Sequence, residues 1–265
     1  MSLPAKLRML PPWLSLSLII GVVVGFSVAG LLVVRRFIPH HVMKYHSDVT
    51  GYIFTTLGLV CGVMLALVIY VVWVQYNNDR VNAGMEAEQT LNLMRGLRLH
   101  PNREQAAQVR KALVEYARAV HEKEYPAMRR MEYSGAADEA FGAVWVSLKL
   151  MDPRTRGETA VYSEIPGHMD QLARHRFERL MAAHEELPPV RRLSVILEGI
   201  VPPAFCRFFG SENFPAHIVM TAMPAFLLAV LIYMIIRLDR PYQSEDHVRP
   251  LRYETVLDRI STHER

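Results

Sequence analysis

The sequence is poor in cysteine: two in 265 residues, Cys61 and Cys206, far apart in the chain. That excludes a disulfide framework and any Cys-x-x-Cys metal or redox pair. It also lacks a glycine-rich phosphate loop, a His-Glu-x-x-His helix, a nucleophile elbow and a haem attachment motif. No constellation argues for an enzyme, and no cofactor is implied. A strong excess of one charge is missing too. The net charge of +4 comes from scattered arginines, not from the basic stripe that nucleic-acid binding requires. One further absence decides the class. Three long runs contain no formal charge: Trp13–Val34, Gly51–Val74 and Ala216–Ile236. At about 1.5 Å of rise per residue, each covers the roughly 30 Å of hydrocarbon in a bilayer. The sequence therefore predicts an all-α integral membrane protein.

The first run is longer than the apolar core of a signal peptide. Arg35 and Arg36 follow it, not a small-residue cleavage site, so it reads as a retained anchor. A fourth apolar stretch, 193–209, is less regular, with Glu198, Arg207 and the pair Pro202-Pro203. Hydropathy alone leaves it between a re-entrant segment and a crossing. Topology favours a crossing, because the link to the last run, Gly210–Pro215, is short and has no Lys or Arg, as in an external turn. The expected layout is a transmembrane pair in 1–74 (spans about 13–34 and 51–74), a cytoplasmic helical domain in 75–192, a second pair in 193–236 (spans about 193–209 and 216–236) and a cytoplasmic tail in 237–265. Six arginines in that tail set the orientation, with both termini cytoplasmic; Arg35, Arg36 and Lys44, in what becomes an external loop, run against it.

The middle region is close to charge balance, with 18 Lys+Arg and 17 Asp+Glu between Gln75 and Arg192. Its apolar residues recur at helical spacing. Ala83, Ala87, Leu91, Met94 and Leu97 mark one face, and no proline separates them from the second span. One unbroken helix of roughly 70 Å is expected from about Tyr52 to Leu97. Asn102 and Gln105 form a capping box for a second helix whose face is Ala106, Val109, Leu113, Tyr116 and Val120, as far as Pro126. Two more helices fit Ala137–Met151 and His168–Glu186, the latter with Met169, Leu172 and Leu180 inward.

Small residues recur every fourth position in the first two spans: Ser17, Gly21, Gly25 and Ala29, then Gly58, Gly62 and Ala66. Such stripes let helix backbones approach closely in lipid. They fit an oligomer seam, the lining of a narrow conduit, or packing of the two spans within one subunit. Glu198 is the acidic residue inside an apolar segment, a functional candidate by its cost there; the alternative is an ion pair with Arg191, Arg192 or Arg237. Arg207, near the other end of that segment, is placed to snorkel to the interface. His40, His41 and His46 match no established metal spacing and read as a solvated loop. Glu86 and Glu88 lie on different faces of their helix and cannot act as a carboxylate pair.

Several short motifs then occur in order: Trp73-Val74-Gln75-Tyr76, Glu86-Ala87-Glu88, Glu124-Tyr125-Pro126, Leu187-Pro188-Pro189 and Leu238-Asp239-Arg240-Pro241-Tyr242. From about His46 to Leu251 this order resembles the bestrophin-like domain family of bacterial membrane proteins, whose function is unsettled. The resemblance implies four spans, a cytoplasmic helical domain and a place in the bacterial inner membrane. More remotely it implies the bestrophins, homopentameric anion channels with an apolar neck on the second span. By that analogy Ile53, Leu57 and Val60 form a neck, chloride or another small anion passes, and the partners are the bilayer and further copies of the chain. An acidic calcium clasp after the last span has a faint counterpart in Asp239, Glu245 and Asp246, too few oxygens for calcium without backbone and water. The chain departs from the family pattern at Tyr125, where Trp is usual, at Arg191-Arg192 and at Gln243-Ser244. A homo-oligomeric anion channel is the expected function, and a non-conducting scaffold that binds a partner through its cytoplasmic helices is the alternative.

Overall fold

A computed structural model describes residues 10–37, 47–184, 189–207, 213–239, 242 and 253–258. It is all-helical, with no strand among the described residues. In chain order the helices are α1 (Pro12–Phe37), α2 (Ser47–Leu99), α3 (Arg103–Ala119), a π-helical turn (Val120–Glu124), α4 (Tyr125–Arg129), α5 (Gly135–Lys149), α6 (Arg156–His184), α7 (Pro189–Cys206) and α8 (Phe214–Leu238). A further short helix covers 253–258. The chain divides into two compact units, Met1–Tyr76 with Glu186–Asp239, and Asn77–Glu185 with Arg240–Arg265.

α2 runs unbroken for 53 residues, as expected from a stretch in which no proline removes a helical donor. Among the described residues three helices are long and apolar enough to cross a membrane: Pro12–Phe37, Gly51–Leu99 through its apolar part, and Phe214–Leu238. The described part of the fourth stretch, Leu193–Cys206, is a shorter apolar helix. In the first unit α1, α7 and α8 pack on one another. The face of α1 used for this is Ser15, Ile19, Ser27 and Leu31; that of α8 includes His217, Thr221, Ala225 and Ala229. Small side chains on both sides allow the close approach.

The second unit has a continuous apolar core. Ala87, Leu93, Met94 and Leu97 of α2 meet Val109, Leu113 and Tyr116 of α3, Val144 and Leu148 of α5, and Met169 and Leu172 of α6. Tyr242, Tyr253 and Val256, all downstream of α8, complete it. Asn102 caps α3, its side chain accepting from the Gln105 backbone N–H at 3.2 Å. The box is only half formed: Gln105 accepts from the Asp152 N–H instead, and the Asn102 N–H donates to His100. The π-helical turn ends two residues before Pro126, which cannot donate to a carbonyl one turn back. The widened turn is the local accommodation of that proline.

α6 departs most from expectation. It starts at Arg156, not near His168, and passes through Pro166. Its start is a reciprocal box in which the Glu158 N–H donates to Thr155 Oγ1 and the Thr155 N–H to Glu158 Oε2. Pro166 costs the helix one donor, which this well-capped and well-packed helix sustains.

Candidate functional site

In the first unit the apolar start of α2 is largely uncovered. Ile53 and Val60 are about half exposed and Leu57 is partly buried. Ring stacking of Phe54 on Phe205, with centroids 6.4 Å apart, joins α2 to α7. Among the described side chains of α2 in this unit, Leu65 and Val72 are buried. Thr55 and Thr56 each donate to a carbonyl four residues back, so their hydroxyl protons are used within the helix. The small-residue stripes are also open. Ser17, Gly21, Gly25 and Ala29 are exposed, as are Gly62 and Ala66. A Cβ placed on Gly21, Gly25, Gly58 or Gly62 would meet nothing within 4 Å.

Several ionisable groups sit inside the helical packing of this unit, Glu198, His217 and Arg237 buried and Arg207 half-buried. Glu198 is buried, and neither carboxylate oxygen has a hydrogen-bond partner among the described residues. Of the three arginines considered for it, the side chains of Arg191 and Arg192 lie outside the described residues. Arg207 does not extend away from the helices. Its guanidinium lies over the Phe26 ring at 5.1 Å and donates to the Phe26 carbonyl at 3.3 Å. Gly30 makes room for it, because a Cβ there would fall 2.2 Å from the guanidinium carbon.

The second unit holds a buried charge network. Arg179, fully buried on α6, donates from Nε and Nη2 to Glu86 of α2 and from Nη2 to Glu124 at the end of the π-helical turn. Its guanidinium also lies over the Tyr125 ring at 5.2 Å and meets the Met128 sulfur. Arg176, one turn earlier, donates to Glu124 at 2.8 Å and to Asp138 at 3.1 Å. Glu86 further accepts from the hydroxyls of Tyr116, at 2.8 Å, and Tyr253, at 3.0 Å. Tyr242 packs on Tyr125 and donates to the Asp79 carbonyl.

The electrostatics are consistent with fixed charges. Burial pushes the Glu86 carboxyl up, but the Arg179 charge and the hydrogen bonds from Arg179, Tyr116 and Tyr253 outweigh it, so its pKa lies below the ordinary carboxylate value. Burial opposes the charge on Arg179, yet Glu86 and Glu124 hold its pKa well above the usual value. Burial, then the Glu86 charge, drives the phenols of Tyr253 and Tyr116 well upward, so both remain donors. Each Glu86 oxygen is occupied and shielded from solvent. The arrangement locks helices together and offers no free acid, base or nucleophile. Glu88, by contrast, is exposed. Nearby, Asn82 pairs with His175 and Gln89 with His168, which fastens α6 antiparallel to α2.

The sequence singled out Glu86 and Glu124 as motif residues without a partner, and Arg176 and Arg179 not at all. The signal available was their i, i+3 spacing on α6 beside His175, a set of polar residues on the face that carries Met169 and Leu172. Of the acidic positions compared to a clasp, Asp239 is described, while Glu245 and Asp246 lie outside the described residues, as do His40, His41 and His46. Among the described residues no three His, Cys, Asp or Glu side chains come together as metal ligands.

Comparison with known families and structures follows the same lines. The family model for the bestrophin-like domain matches residues 21–253. Two solved structures share the fold, both variants of a bacterial bestrophin homologue from Klebsiella pneumoniae. The isoleucine-to-alanine variant gives a TM-score of 0.65 at 14% identity over 92% of this chain and 96% of that one. The isoleucine-to-threonine variant gives 0.62 at 12% identity over 92% and 95%. Among curated proteins none matches the sequence.

Proposed function

Because the chain belongs to the bestrophin-like domain family, we propose that it assembles as a homo-oligomeric ion channel, selective for anions, with a pore lined by the start of α2. One observation carries the assembly. Two stripes of small residues, built for close helix contact, are exposed within a single subunit except for the half-buried Gly58, and a Cβ on any of their glycines would meet nothing within 4 Å. In a ring of copies, five by analogy, they become contacts between subunits. The apolar face with Ile53, Leu57 and Val60 then turns toward the axis.

On this reading α1, the apolar part of α2, α7 and α8 are the four spans, in a bacterial inner membrane with both termini and the second unit in the cytoplasm. No Lys, Arg, Asp or Glu lies between Gly51 and Val74, so α2 supplies no charged ring there. The neck gates by dewetting, and selectivity for chloride or a similar anion arises from dipoles and from basic residues at the mouths.

The test is purified protein in planar bilayers, with the reversal potential read across a chloride gradient. A potential that follows chloride is expected. Alanine placed singly from Ile53 to Val60 should raise conductance at one or two positions. No conductance in wild type or in any variant, in bilayers that pass a control channel, would leave a membrane scaffold as the function.

A further inference from the structure

In the second unit, α5 and α6 enclose a groove of about 370 Å³ that the charge network does not touch. Its floor is Leu148 and Ile165, both almost fully buried. Its rim is Trp145 and Val146, which are 39% and 61% exposed although apolar. Tyr162 and Pro166 form the opposite wall. The spacing is helical on both sides, 145, 148 and 149 against 162, 165 and 166, so each helix presents one face to the space. The volume is in the range of small-molecule sites, roughly 300–1,000 Å³, and too small to seat a helix.

One charged residue lines the groove, Lys149. It is exposed and forms no ion pair with any described residue. No carboxylate lines the walls. An apolar slot with a single unclaimed ammonium at its edge calls for an apolar body with an anionic head. The head should carry one charge. Lys149 lies in the last turn of α5, where the helix carbonyls repel negative charge, a dianion more strongly than a monoanion. The walls also lack the arginine fork with which phosphate is usually held.

We propose that this groove binds an amphipathic monocarboxylate, its chain lying between Trp145 and Ile165 and its carboxylate on Lys149. The proposal is independent of conduction, because it concerns α5 and α6 alone.

The experiment uses the full chain in lipid nanodiscs, titrated with hexanoate, octanoate and decanoate while tryptophan fluorescence is followed. Trp145→Phe identifies the signal among the three tryptophans. A saturable change that depends on Trp145 is expected. Affinity should rise about fourfold for each added methylene, the value of burying one such group. Lys149→Glu, at an exposed position that leaves the fold intact, should weaken decanoate binding at least tenfold and leave decanol binding unchanged. Val146→Glu, on the exposed rim, should likewise weaken decanoate. A response that rises without saturation as in empty nanodiscs, persists in Trp145→Phe, or is equal in Lys149→Glu and wild type would overturn the assignment.

Discussion

Replacing Arg179 by methionine tests the charge network at its centre. Methionine fills most of the same space and leaves the contact with Tyr125 apolar, so the loss is chiefly one of charge. Glu124 keeps Arg176 at 2.8 Å. Glu86 keeps two tyrosine hydroxyls but loses its counter-ion. Breaking a buried pair from one side costs about 3–5 kcal/mol, because a buried charge is left uncompensated. At roughly 2–4 °C per kcal/mol for a chain of this size, Tm should fall by about 6–20 °C. Adding Glu86→Gln to Arg179→Met removes the stranded charge and should recover part of that loss. The pH dependence supplies an independent sign. In the wild type Glu86 has a depressed folded pKa, so its contribution is present above the unfolded value of about 4.3 and is lost as pH falls through the folded one. Without Arg179 the burial effect is largely unopposed, the folded pKa moves above the unfolded one, and acidification favours the folded state at this residue. Thermal unfolding of the purified protein between pH 4 and 7, approximate limits chosen to bracket the carboxylate range, reads both effects. An Arg179→Met protein that melts with the wild type at neutral pH and keeps its pH slope would refute the reasoning.

Three further outcomes follow from the packing. Gly62→Leu should lower recovery of the oligomer, measured by size-exclusion chromatography with light scattering, while the single subunit has room for the side chain; unchanged assembly would remove Gly62 from any seam. Tyr253→Phe deletes a donor to a buried carboxylate and should cost about 1.5–3 kcal/mol by denaturant unfolding, with no effect if the short C-terminal helix does not bind in solution. Thr155→Ala removes the α6 cap and should cost about 1 kcal/mol, seen as faster hydrogen exchange in the turn before Pro166 and not near Arg179.

Much of this architecture was legible because its causes are local. A proline-free stretch from Ser47 to Leu99 gives one helix, and Ala106, Val109, Leu113, Tyr116 and Val120 are all buried as their spacing required. The start of α6 was less legible, because Pro166-Gly167 has the composition of a helix breaker while the helix is capped upstream by Thr155 and Glu158. The network was not legible: Glu86 and Arg179 lie 93 residues apart, and nothing in a local pattern says which buried carboxylate meets which guanidinium. The stripes illustrate a different limit. Four-residue spacing points to Ser17, Gly21, Gly25 and Ala29 as a packing face of α1, but these residues are exposed and the buried face carries Ser15 and Ser27 instead. A helix with small residues on two sides does not announce which side its own subunit takes.

Tyr253 reaches Glu86 across 167 residues of sequence, which has a consequence for the order of synthesis. While α3 to α6 emerge from the ribosome they can pack against α2, but one side of their shared core stays open and Glu86 lacks its hydrogen bond from Tyr253. Closure waits until α7, α8 and the segment through Val256 have been made. Bringing such distant segments together is entropically slow. During that interval the half-built unit exposes apolar surface, the state that chaperones hold and proteases recognise. Chain termination shortly after α8 should therefore prolong that interval indefinitely and make the nascent protein a degradation substrate, although α1 to α8 have all been translated.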